Sequence, residues 1–225
     1  MKIEKHSDAS QVAQSAAAYL ENKIRETIKE KGSFSMAISG GKTPWEMLKI
    51  LAKAPLMPWS KVNIFQVDER EAPDGHADRN LTQLFKTLEG TGIITKVNIF
   101  PMPVIAENLE DACAEYAEII QKITGDGILD LVHLGMGADG HTASLIPGDQ
   151  VCEVMDKDVT MTFGPYQGRN RMTLTYPLIN KAKEILWVIT GDEKKEMVQR
   201  LIAQDPNIPA GKVSQEKALL ITDQV

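Results

Sequence analysis

Apolar residues recur at helical spacing from Asp8 to Lys31, where Val12, Ala16, Tyr19, Leu20, Ile24 and Ile28 share one face and Gly32 ends the run. The period then changes. Phe34 to Ser39 reads as a short strand broken by Gly40-Gly41, and Thr43-Pro44-Trp45-Glu46 reads as a helix start, with Thr43 as N-cap and Glu46 closing a capping box. Lys61 to Val67 is the next strand and runs straight into Asp68-Glu69-Arg70. Further along, the pattern predicts a helix over Arg79–Leu88, a strand over Val97–Phe100 and a helix over Leu109–Ile123. Ile128–Leu134 is apolar except for Asp130 and His133, as expected of a strand covered on both faces. Strands follow at Lys157–Thr162, Arg171–Thr175 and Glu184–Ile189, then a helix capped by Asp192 and running to about Ala203, and a final strand at Ala218–Thr222.

Strand and helix alternate with short connections. That order predicts an α/β fold, doubly wound, with a mostly parallel sheet and helices on both faces. No repeat, low-complexity tract or Ser/Gly linker divides the 225 residues, so one domain over 1–225 is expected. Such sheets bind ligands outside the carboxyl ends of their strands. The loops to inspect are those after Ser39, Val67, Leu134 and Ile189.

Composition narrows the chemistry. The chain carries 25 Lys and Arg against 31 Asp and Glu, a net charge of −6, with no basic block, which argues against sequence-independent nucleic-acid binding. The N-terminus lacks the apolar stretch of a signal peptide, and no segment approaches the ~18 consecutive apolar residues of a membrane span. A cytoplasmic, non-membrane protein is expected, its assembly left open between a monomer and a small homo-oligomer. Cys113 and Cys152 show no metal-ligand spacing, and Cys113 falls in a helical pattern as a small buried residue. No H-E-x-x-H or carboxylate cluster is present, so neither a metal nor a cofactor is expected.

Gly135, Gly137 and Gly140 spell G-x-G-x-x-G directly after a strand, the spacing of a dinucleotide-binding turn. Such a turn must open a long helix, and Pro147-Gly148 follows too soon for one. The alternative is a loop whose backbone N–H groups converge on an anion or a developing oxyanion, with Gly137 and Gly140 allowing close approach. Asp139 and His141 project from that loop, and imidazole is the side chain suited to moving protons near neutral pH. The other histidines are less promising: His133 lies in a buried-looking strand, His76 in a polar loop and His6 near a frayed terminus.

Cations gather at the remaining loops. Gly40, Gly41, Lys42 and Thr43 join a strand to a helix N-terminus, where free N–H groups and the helix dipole favour a phosphate. It is not a Walker A loop. Arg70 offers a fork of donors for phosphate or carboxylate, and Asp68 beside it is placed to orient either that Arg or a histidine. Arg169 and Arg171 compete for one further role before the strand MTLT, and Lys194 follows the Gly191-Asp192-Glu193 turn. Cations at the sheet edge of an acidic protein suggest a phosphorylated substrate.

SGGKTP, VDER with Asn80 downstream, LGMGADGHTASLIPG, RMTLTYPLIN and the GDEKKE turn, in that order, resemble the 6-phosphogluconolactonase family over about Ala9 to Thr222. The related glucosamine-6-phosphate deaminases share a D-G-H loop. They differ by a tyrosine where Arg70 stands and by a glutamate absent from Thr142–Pro147. A non-catalytic sugar-phosphate sensor on the same scaffold would need an appended domain or a lost base, and the chain shows neither. The resemblance implies a Rossmann-like sheet of the sugar-phosphate isomerase/lactonase type. It also implies hydrolysis of 6-phospho-D-glucono-1,5-lactone in the oxidative pentose phosphate pathway, with a sugar-phosphate lactone as the small-molecule partner. On that basis His141 is the base, Asp68 its orienting partner, and the Gly40–Thr43 loop, Arg70, Arg171 and Lys194 the substrate-holding groups. Lys42 departs from the family's usual serine, and altered affinity is expected from it.

Overall fold

The computed structural model describes residues 1–225. The chain runs β1 (Lys2–Lys5), α1 (Ala9–Lys31), β2 (Phe34–Ile38), α2 (Lys42–Ala52), β3 (Val62–Gln66), β4 (Asp68–Arg70) and α3 (Asn80–Leu88). It continues through β5 (Asn98–Phe100), α4 (Leu109–Thr124), β6 (Leu131–Leu134), β7 (Val159–Met161) and β8 (Arg171–Leu174). It closes with α5 (Tyr176–Lys181), β9 (Ile185–Ile189), α6 (Lys195–Ile202) and β10 (Ala218–Thr222).

Seven strands form one sheet in the order β1-β10-β9-β6-β2-β3-β5, and every neighbouring pair is parallel. The strand residues alternate between two apolar layers. Phe34, Met36, Ile38, Leu186 and Val188 pack with α1, α2 and α3, whereas Ala37, Ile185, Trp187 and Ile189 pack with α4, α5 and α6. Period-two alternation therefore feeds two cores, which is why β2, β6 and β9 are buried on both faces. Helix α1 begins at Asp8, whose carboxylate accepts the Gln11 N–H at 2.9 Å, and ends at Gly32 with φ 90°. Cys113 is buried in α4, and burial pushes its thiol up to about 11. No helix is long and apolar enough to cross a membrane.

Four expectations need correction. The N-terminus is not frayed: β1 pairs with β10, and the His6 N–H donates to the Thr222 carbonyl at 2.9 Å. The Asp68-Glu69-Arg70 stretch and the strands at Val159 and Arg171 do not join the parallel sheet. They form a second, antiparallel sheet in the order β4-β8-β7. Val67 is where the chain changes sheets, its N–H bonded to the Ile38 carbonyl at 3.0 Å and its own carbonyl accepting from Leu174 at 2.9 Å. Helix α5 lies between two predicted strands, where no element was assigned, with Pro177 in its first turn, and the turn over Asp192–Lys194 is 3-10, so the helix proper starts at Lys195.

The fourth concerns α2. Gly41, at φ 140°, precedes the first helical residue Lys42, and no side chain caps the helix. The Thr43 hydroxyl instead lies 2.6 Å from that of Thr190, tying the loop after β2 to the loop after β9. Tertiary contact took the hydroxyl that a local capping box would have used.

Candidate active site

Strand order reverses at β2. The chain moves from β2 outward to β3 and β5, then returns through β6 on the other side. The crevice of a doubly wound sheet opens at such a reversal. The two flanking loops are Ser39–Gly41 and Gly135–His141, and His133 joins their roots by accepting the Ser39 N–H at Nδ1, 3.2 Å away. That acceptor role puts the ring proton on Nε2, which is buried without a partner. Burial lowers the His133 pKa to about 3, so this imidazole is neutral and structural.

The loop beyond β6 is a compact turn rather than the start of a helix, as Pro147-Gly148 predicted. The Gly137 N–H donates to the His141 carbonyl at 2.9 Å, and the Gly140 N–H to the Gly137 carbonyl at 3.0 Å. These two N–H groups are engaged within the loop and are not the ones free to face an oxyanion. The glycines serve another purpose. A Cβ on Gly137 would sit 2.2 Å from the His141 ring and 2.7 Å from Asp139 Oδ1, and one on Gly140 (φ 82°) would strike Ile208 at 2.8 Å. Gly137 makes the space in which carboxylate and imidazole meet.

They meet closely. His141 Nδ1 lies 2.5 Å from Asp139 Oδ1, and the same oxygen accepts the His141 backbone N–H at 3.1 Å. Partial burial raises the Asp139 pKa, but the charge and hydrogen bonds of His141, with the Tyr166 hydroxyl, outweigh it and hold the carboxyl below its ordinary value. An ionised carboxylate only accepts, so Nδ1 carries the ring proton and Nε2 keeps its lone pair. Asp68, expected as the orienting carboxylate, is elsewhere. It is buried, accepts the Ser144 hydroxyl at 2.7 Å, and its backbone carbonyl accepts from Asn80 at 2.9 Å. It anchors the far end of the His141 loop rather than the ring.

A cleft of about 1080 Å³ opens beside His141, just above the usual size range of small-molecule sites. Gly40, Gly41, Lys42, Thr43, Gly137 and Lys194 line it together with His141. The uncapped end of α2 brings the positive helix terminus and Lys42 to one wall, with Lys194 contributing a second cation. Gly40 is required there, since a Cβ would fall 2.3 Å from Asn80 Oδ1.

Residues 7–221 match the family described as glucosamine-6-phosphate isomerases/6-phosphogluconolactonase. The chain belongs to this family. A 6-phosphogluconolactonase from Nostoc sp. is 33% identical over 186 residues, covering 80% of this chain and 76% of the relative. One from Synechocystis sp. is 34% identical over 188 residues, covering 81% and 77%. The crystal structure of 6-phosphogluconolactonase from Thermotoga maritima superposes with a TM-score of 0.84 at 25% identity, covering 98% of each chain.

Against that family's motifs, the structure sorts the remaining cations. Arg70 donates to the Asp78 carbonyl at 2.6 Å and does not line the cleft. Arg171 is also off the cleft. It is buried beneath Tyr166, with one guanidinium nitrogen 3.2 Å from Gln167 Oε1 and another 4.0 Å from Asp68. Arg169 turns away to Asp78, 3.2 Å distant. Of the two competing arginines, Arg171 is therefore the one beside the Asp139–His141 pair, but it reaches the pair through Tyr166.

Two residues carry weight that the sequence did not signal. Glu69 is fully buried and receives N–H groups from Arg70, Asn80 and Leu81 at 2.8, 2.7 and 2.8 Å, the Gln66 amide at 2.8 Å and an ion pair from Arg79 at 3.2 Å. It caps α3 from a different strand, which no local pattern encodes. Tyr166 sits in a polar turn between strands, where an aromatic residue is ordinary.

Proposed function

We propose that this protein hydrolyses 6-phosphogluconolactone, with His141 as the proton carrier. The observation that carries this reading is the Asp139–His141 pair at the edge of a cleft lined by Lys42 and Lys194. The phosphate and hydroxyl groups of the substrate lie toward the α2 N-terminus, Lys42, Thr43 and Lys194. Nε2 of His141 takes a proton from water as the water oxygen attacks the lactone carbonyl carbon. A tetrahedral oxyanion forms, its collapse breaks the bond to the ring oxygen, and the imidazolium returns its proton to that oxygen. The product is the open 6-phosphogluconate, and the histidine is regenerated.

The energetics suit so small a set of groups. A lactone is an activated ester that hydrolyses slowly unaided, so one base in place, worth ~10²–10⁴-fold, and a held substrate are sufficient. Asp139 keeps the imidazole in the useful tautomer and stabilises it once protonated.

The test generates the lactone with glucose-6-phosphate dehydrogenase and follows its disappearance. The protein accelerates hydrolysis above the spontaneous rate, and His141→Ala reduces kcat by ~10²–10⁴-fold. A rate equal to the spontaneous one would refute the proposal. Release of ammonia from glucosamine 6-phosphate instead would place the chain with the other branch of its family.

A further inference from the structure

The activity proposed above uses Asp139 and His141 but gives no role to the tyrosine standing over them. Tyr166 reaches the pair from the hairpin between β7 and β8. Its Oη donates to Asp139 Oδ2 at 2.9 Å and lies 3.4 Å from His141 Nδ1. Its ring meets the imidazole edge to face, with centroids 5.2 Å apart at 65°. On the same ring rests the Arg171 guanidinium, its carbon 4.9 Å from the centroid. One side chain touches the carboxylate, the imidazole and a buried cation.

The hairpin is built to keep it there. Tyr166 and Arg169 exchange backbone hydrogen bonds of 2.9 and 3.3 Å, and the two residues between them, Gln167 and Gly168, both take positive φ, 52° and 79°. Two successive positive φ values are what a primed hairpin turn requires. Upstream, the Asp149 carboxylate accepts the N–H groups of Phe163 and Gly164, each at 3.2 Å. Downstream, Arg169 pairs with Asp78 at 3.2 Å and Asn170 donates to Glu71 at 3.0 Å. The tyrosine is held from both flanks although the hairpin lies at the surface.

We propose that Tyr166 is a positioning residue for the acid–base pair: by occupying Asp139 Oδ2 it presents Oδ1 to His141 Nδ1, fixes the imidazole plane, and restrains the basicity that a bare carboxylate would confer. This rests on His141 being the proton carrier. A carboxylate held at one oxygen cannot turn freely about its Cβ–Cγ bond, so its hydrogen bond to the imidazole keeps one geometry. A donor on that oxygen also draws off negative charge, so the imidazolium is stabilised less than by an unpartnered carboxylate. Burial and the neighbouring Asp139 push the Tyr166 phenol above its ordinary value, which keeps it a donor at neutral pH. Arg171, absent from the cleft lining, acts through this ring by supporting it from behind.

Tyr166→Phe tests the proposal in the full-length protein, because it keeps the ring, the stack on Arg171 and the hairpin while removing one donor. Asp139 and Tyr166 touch the imidazole, Arg171 stands behind the ring, and Lys42, Glu46, Lys49, Lys86, Glu193, Lys194 and Asp223 line the same cleft, so the substitution changes a single group among the charged and polar ones around it. Two measurements are made: kcat/KM against pH, and NMR titration of the imidazoles with His141 assigned by the loss of its signals in His141→Asn. In Tyr166→Phe the His141 midpoint rises by about half to one pH unit. Below that midpoint kcat/KM falls ~3–10-fold, as the lost neutral fraction requires, and at alkaline pH a smaller deficit in kcat from the loosened imidazole remains while KM stays near wild type. A midpoint unmoved or lowered overturns the proposal, whatever happens to the rate. The NMR arm uses no lactone. Failure of the wild type to hydrolyse lactone would therefore strike the proposed function alone, and active lactonase with an unmoved midpoint would remove Tyr166 alone.

Discussion

Two carboxylates of this molecule, Glu69 and Asp139, are used in opposite ways. Glu69 is fully buried, and both its oxygens are saturated by three backbone N–H groups, an amide and a guanidinium. Asp139 sits at the surface and has three hydrogen bonds, two of them to His141 and one to Tyr166. The first is fixed in a medium where an unpaired charge is very unfavourable, so every partner is structural. The second remains near water, where protonation and deprotonation of its partner are both accessible. Burial separates the carboxylate that holds the fold from the carboxylate proposed to tune a base.

The largest effect expected on this contrast falls at its exposed end. His141→Ala lowers kcat by ~10²–10⁴-fold while leaving the melting temperature near wild type; a large drop in melting temperature would show that the exposed pair is structural as well. At the buried end, Glu69→Ala leaves Arg79 without its carboxylate and α3 without its cap, and urea unfolding should show a loss of about 3–5 kcal/mol. If the variant kept its stability and lost only activity, the two carboxylates would not differ as described.

His133 sharpens the comparison through pH. Its pKa is about 3 in the folded protein against an ordinary value of 6.5, so between those limits the unfolded chain binds a proton that the native chain refuses. Stability therefore falls as pH drops through this window, by up to about 1.4 kcal/mol per pH unit from this group. Measured between pH 6.5 and 5, above most carboxylate titrations, the slope should flatten in His133→Gln, and an unchanged slope would assign it to other groups. The smallest effect belongs to Lys42, exposed at the mouth of the cleft. Lys42→Ser, which restores the family's usual residue, should raise KM by ~2–5-fold, since an exposed ion pair is worth up to about 1 kcal/mol. A KM that falls would mean that the lysine hinders the substrate.

Much of this was legible before any coordinates. The α/β alternation, the short turn after the third glycine and the prominence of His141 all followed from spacing, because the hydrophobic period and the helix-breaking force of Pro147-Gly148 are local properties. The partner of His141 was misread as Asp68. Two acidic residues flanked the possibilities, and sequence offers no distance between residues 68 and 141. The cap on α2 failed for the same reason: Thr43 satisfied every local rule for an N-cap, and Thr190, from a loop far along the chain, took its hydroxyl.

The sequence by itself determined which residues could carry the chemistry: one histidine in a glycine loop, a cation-bearing helix start, and strands apolar enough to bury a sheet. The tertiary structure alone decided how they are used. It split the strands into a parallel and an antiparallel sheet, set Glu69 under α3, turned Arg169 outward, and laid Tyr166 between Arg171 and Asp139. Each of those outcomes depends on long-range packing and on a dielectric that exists only once the chain has folded. Local periodicity cannot encode either one.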